Sequence, residues 1–118
     1  MTAVNQAAAE VVTCARCEMT TRWMPGHEHG GPPIAWIEED GCLYCLTCQR
    51  ALAAEAGSST APADSTTASR AKMRAIALVE FEIKRDPERS NGQIARAIHT
   101  SVPAVIKARQ RLEADAGV

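Results

Sequence analysis

Three cysteines within one heptapeptide, in a chain that has only five, constrain this sequence more than any other feature. Cys42, Cys45 and Cys48 recur at three-residue steps, and Cys14 and Cys17 form a Cys-x-x-Cys pair upstream. Two such pairs, well separated along a chain, are the usual form of a tetrahedral thiolate site, because each tight turn lets two sulfurs reach one ion at about 2.3 Å. One cysteine is therefore surplus. An odd count argues against a closed set of disulfides, and in a reducing compartment paired cysteines are metal ligands more often than bridges. A cytoplasmic location is expected: the start, Met1 to Gln6, lacks the basic flank and apolar core of a signal peptide. No stretch approaches the roughly 20 apolar residues that cross a bilayer.

The 118 residues change character along their length and suggest two mini-domains, each near the lower limit for folding alone. The front half has cysteines as a staple; the back half has none and must rely on an apolar core. With aromatics at 3%, that core is aliphatic. Net charge is formally -1, but the halves differ in sign. Up to Ala68 three Arg face eight acidic residues, and from Ser69 ten Lys or Arg face six, so the back half is the nucleic-acid candidate.

Taken in order, residues 1–12 are an Ala-rich tail ending in Val11 and Val12, fit for a frayed helix or a short strand. A cysteine module is expected over residues 13–56. Arg22-Trp23-Met24 reads as a strand fragment, and Pro25 to Pro33 is too rich in Gly and Pro for regular structure. His27 and His29 lie in that loop, where histidines more often face solvent than hold metal. Ile34 to Glu38 reads as a strand that turns at Asp40-Gly41 and returns as Cys42-Leu43-Tyr44, Asp-Gly between apolar runs being a strong hairpin signal. If Cys42 is a residue of the returning strand, the second knuckle begins at Cys45. Cys45-Leu46-Thr47-Cys48 then opens a helix, Gln49 to Ala56, with Gly57 at the position favoured for its C-terminal stop.

Knuckle, hairpin, and a second Cys-x-x-Cys at a helix start resemble the treble-clef class of zinc fingers. In particular, Asp40-Gly41-Cys42-Leu43-Tyr44-Cys45-Leu46-Thr47-Cys48 is similar to the second-knuckle run of LIM-like fingers. The resemblance covers Cys14 to Ala56. It implies Cys14, Cys17, Cys45 and Cys48 as ligands of a structural zinc ion, a site closed by four thiolates with no open position for catalysis. The rival set keeps Cys42 with Cys45 and leaves Cys48 out. The acidic balance of this module favours a protein partner, or a second protomer, over nucleic acid.

Residues 57–69 have no apolar side chain larger than Ala and read as a flexible linker. A helical module is expected over 70–115. Arg70 to Arg85 carries Met73, Ile76, Val79 and Ile83 as a buried stripe, with Ala77 and Phe81 beside it, and ends at Asp86-Pro87. Ser90-Asn91-Gly92-Gln93 is a capping box opening a helix that turns Ile94, Ala95 and Ile98 inward. After the turn His99-Thr100-Ser101, Ser101 caps a third helix whose first turn holds Pro103.

This pattern resembles the helix-turn-helix of bacterial, plasmid and phage DNA-binding proteins, through the strings Asp86-Pro87-Glu88-Arg89-Ser90-Asn91 and Ser101-Val102-Pro103-Ala104-Val105. It departs at His99, where Gly is usual for a left-handed turn, and at Thr100, where a buried Val is usual. The resemblance implies a third helix in the major groove of double-stranded DNA, exposing Ser101, Pro103, Ile106, Lys107 and Gln110. Gln110 suits adenine, Lys107 guanine, and Pro103 or Ile106 a thymine methyl. Arg96, Arg109 and Arg111, with Arg70, Lys72 and Arg74, would hold phosphates. With few residues after Leu112, a bare three-helix module without a hairpin wing is expected, and so modest a surface needs a dimer or partner for specific binding.

The fold expected is thus small α+β: a zinc-stapled hairpin and helix, a linker, and an all-α module. The function expected is DNA binding in transcription regulation or an accessory role. The alternatives are a zinc-finger adaptor whose helical module binds protein and an iron-sulfur redox sensor. No nucleophile and base pair or Gly-rich phosphate loop stands out, so an enzyme is not expected; His27 and His29 leave only a remote zinc-dependent nuclease.

Overall fold

A computed structural model describes residues 11–22 and 32–116. Among these residues it contains two antiparallel hairpins and four helices, a small α+β arrangement. Trp23, Met24, His27 and His29 lie outside the described residues. The chain divides into two compact units, Met1–Gln49 and Arg50–Val118, and the division falls inside the first helix.

In the first unit, β1 (Val12–Thr13) pairs antiparallel with β2 (Thr20–Thr21), so the Cys14-to-Cys17 turn is the loop of a hairpin. The Cys14 N–H donates to Met19 O at 2.9 Å and the Glu18 N–H to Cys14 O at 3.0 Å; Glu18 takes a left-handed φ of 65° to close the turn. The second hairpin joins β3 (Ile37–Glu39) to β4 (Cys42–Tyr44), with Glu39 opposite Cys42. Its two turn residues, Asp40 and Gly41, have φ of 53° and 80°, the sign that a two-residue turn needs to match strand twist. The Ala15 N–H donates to Leu43 O at 2.7 Å and ties the two hairpins together. The strand expected from Ile34 starts only at Ile37: the Trp36 N–H donates to Pro33 O, turning that segment and leaving Ile34 fully exposed.

The helix α1 spans Leu46–Ser59 and does not stop at Gly57. The expected terminator lies within the helix because it meets a neighbour there: a Cβ at Gly57 would lie 2.4 Å from Ala77 Cβ and 2.8 Å from Met73 O. The next helix, α2 (Thr67–Arg85), also begins earlier than Arg70, since the Thr66 side chain accepts from Ser69 N–H as an N-cap. Helix therefore occupies both ends of the segment expected to be linker, and Arg70 donates to the carbonyls of Ser58, Pro62 and Ala63.

Two further helices complete the second unit, α3 (Asn91–Ala97) and α4 (Val102–Ala116). Both bonds of the Ser90 and Gln93 capping box form, at 3.1 and 2.9 Å. Ser101 Oγ accepts from Ala104 N–H at 3.2 Å, and Pro103 sits in the first turn of α4, where its missing N–H costs nothing. His99 adopts a left-handed φ of 58° between the two helices, where glycine would be the more usual residue. The core is aliphatic: Val79, Ile83, Ile94, Ala95, Val105 and Ala108 are buried together, with Ile98 and Leu112 packed against them. No helix among the described residues is long and apolar enough to cross a membrane.

Candidate metal centre and an exposed helical face

The two knuckles bring four of the five cysteines together. Cys14 and Cys17 come from the first hairpin loop, Cys45 from the junction between β4 and α1, and Cys48 from the first turn of α1. Their Sγ atoms all lie within 4.8 Å of one another, and Cys17 and Cys45 are 3.8 Å apart. A tetrahedral ion held by sulfurs at about 2.3 Å has sulfur–sulfur edges of about 3.8 Å, so the four thiols fit such an ion. Cys42 is exposed at the start of β4 and stays outside the cluster, which decides between the two sets open in the sequence.

Cys14, Cys45 and Cys48 are buried, while Cys17 is exposed at the mouth. Trp36 and Tyr44 pack against the cluster, and Gln49 donates to Ala35 O at 2.8 Å and Tyr44 O at 3.0 Å, fixing the hairpin flanks to the helix start. Burial works against a thiolate at Cys14, but N–H groups of Cys17, Cys45 and Arg16, with the Cys48 thiol, outweigh it and bring its pKa down to about 6. Burial pushes the Cys48 thiol up to about 12; the Arg16 guanidinium at 3.9 Å opposes this, while hydrogen bonds shared with the other three cysteines add to it. Four sulfurs this close ionise together only with a cation among them, so metal binding and proton release are one event here.

In the second unit the sequence-selected residues separate into two groups. Pro103, Ile106, Lys107 and Gln110 recur at helical spacing along α4 and are all exposed, with Ser101 exposed just before the helix and Arg96 exposed on α3. Lys107 and Arg96 have no ion-pair partner among the described residues. Arg109 is turned inward: it donates to Asn91 Oδ1, to Pro87 O and, at 2.7 Å, to Arg89 O, binding α4 to the loop before α3. Arg111 pairs with Glu80 at 2.9 Å. These two arginines carry structure as their first task.

Sequence reasoning missed Glu82. It is fully buried and accepts from Arg50 through two nitrogens, at 2.6 and 3.2 Å, from Arg89 at 2.9 Å and from Arg85 at 3.2 Å. Burial favours its neutral form, but the three guanidinium groups win and hold its pKa down at about 2. The signal was present: Glu82 falls three residues after Val79, inside the apolar stripe, with Arg three and seven residues beyond it. Comparison with protein-family models, curated proteins and solved structures returned no match to the chain.

Proposed function

We propose that the chain is a DNA-binding protein, in transcription regulation or an accessory role, with a helix-turn-helix module over residues 70–115 and a structural zinc finger before it. The reading is carried by α3, the left-handed turn at His99 and α4, which present Pro103, Ile106, Lys107 and Gln110 on one exposed helical face. A helix offering an amide, an ammonium and apolar atoms at this spacing has the side-chain chemistry that distinguishes base edges in the major groove. Ser101, near the helix start, extends that face, and Arg96 on the preceding helix is the phosphate contact that fits this placement.

In this reading the four-cysteine site holds zinc, because four thiolates at tetrahedral spacing without an open coordination position form a closed structural site. The finger contacts a protein partner or a second protomer, which a single small helical module needs for specific affinity. A purified protein that is colourless and contains one zinc per chain supports this; a brown protein with visible absorption would replace zinc by an iron-sulfur cluster.

A second reading, in which the same face docks on protein, draws on Val102 and Ile106, 42% and 41% exposed on α4. Fluorescence anisotropy with random and selected duplexes separates the two. Salt-sensitive duplex binding is expected, with sequence preference lost in a Lys107→Ala, Gln110→Ala double variant. Preference that survives both substitutions removes α4 from base recognition, and no duplex binding at all favours the adaptor.

A further inference from the structure

A groove of about 270 Å³ opens between α2 and the start of α4, and neither the capping chemistry nor the DNA reading accounts for it. Its floor is aliphatic, from Ile76, Val79 and Ala104, while Lys72, Lys107 and Arg111 stand around it. Lys72 and Lys107 have no acidic partner among the described residues, and Arg111 gives only its Nε to Glu80, leaving the terminal nitrogens of the guanidinium for a ligand. Thr100 and Ser101 line the same opening.

We infer that this groove binds a small amphipathic monoanion, a carboxylate with a short apolar tail. The charge pattern selects the head: of three cationic groups beside one opening only Arg111 is offset, by Glu80, so Lys72 and Lys107 leave a net positive potential, and a carboxylate accepts charge-assisted bonds from both ammonium and guanidinium donors. The floor selects the tail, since an aliphatic lining gains from covering apolar surface and offers an inorganic anion nothing. The volume sets the size, because drug-sized ligands occupy roughly 300–1,000 Å³ and this groove is smaller. Lys107 belongs both to this groove and to the proposed DNA face, so a bound carboxylate competes with DNA for that ammonium. The groove itself stands without the DNA reading.

The test is a nuclear magnetic resonance titration of the full zinc-loaded chain with hexanoate, hexylammonium and inorganic phosphate as separate probes. Hexanoate is expected to shift the Ile76, Val79 and Ala104 signals saturably, with phosphate weaker and hexylammonium inert. Lys72→Gln should weaken hexanoate by about tenfold, the effect of losing one charge-assisted bond. Ala75→Leu, at an exposed lining position, should fill the groove and abolish the shifts while the circular dichroism melt stays cooperative. The proposal is overturned by any of four results: no hexanoate shift, equal shifts from hexylammonium, phosphate binding as tight as hexanoate, or unchanged hexanoate affinity in both variants.

Discussion

Glu82 and the five cysteines show how much depends on single side chains whose surroundings, not identities, set their roles. Glu82 is a carboxylate at zero exposure whose charge is matched by Arg50, Arg85 and Arg89, and removing one partner of such a buried set leaves the rest uncompensated. Glu82→Gln is expected to destabilise the helical unit by roughly 3–5 kcal/mol, read from the urea midpoint of its helical signal. The same group sets a pH dependence with a definite sign. Its pKa falls from an ordinary 4.5 to about 2 on folding, so the unfolded chain binds the proton first. Its contribution is whole above about pH 4.5 and is lost as pH falls through the folded value, and Glu82→Gln should flatten the stability profile over that window. The cysteines divide by place in the same way. Cys42→Ser should leave one metal per chain, whereas Cys45→Ser should lose the metal and the folded hairpins, as read by metal analysis and amide dispersion. A stoichiometry that falls with Cys42 and survives loss of Cys45 would reverse the assignment.

At the scale of helices and hairpins, local chemistry made boundaries legible where a side chain closes its own hydrogen bonds. Ser90 with Gln93, Ser101 with Ala104, Asp40 with Gly41 and the left-handed His99 all act within a few residues, and each forms where the sequence reading expects it. Gly57 was misread because its meaning is tertiary. A glycine after an Ala-rich helix is normally a stop, but here the missing Cβ lets α1 lie against Met73 and Ala77. Magnitudes decide what a side chain there would do. Alanine gains roughly 0.5–1 kcal/mol in helix propensity, while forcing a methyl to 2.4 Å from Ala77 Cβ costs about 1–3 kcal/mol in overpacking. Gly57→Ala should therefore lower the melting temperature, and a rise would show that the two helices separate at little cost. Glu82 is only half legible for a related reason: Arg85 and Arg89 follow it closely in sequence, but nothing local marks Arg50, from another helix, as a partner.

For the whole molecule, the difference in charge between the halves overstates what is free to meet a polyanion. Arg85 and Arg89 are bound to Glu82, Arg109 to backbone carbonyls and Asn91, Arg70 to the carbonyls that precede α2, and Arg111 in part to Glu80. Among the cations expected on phosphates, Arg96, Lys72 and Arg74 keep exposed side chains with no ion-pair partner among the described residues, as does Lys107 on the reading face. The two groups give opposite signatures when removed. If the DNA reading holds, each phosphate neutralised releases counterions and contributes about 0.9 to the slope of log affinity against log salt. Arg96→Ala should then lower that slope by about 1 while leaving the melt unchanged, because its guanidinium holds no part of the fold. Arg109→Ala should do the reverse, lowering stability through the lost link between α4 and the loop before α3, with little change in slope for the fraction that remains folded. A slope that responds to Arg109 and ignores Arg96 would place the phosphate contacts elsewhere on the helical unit and separate α3 from the DNA backbone.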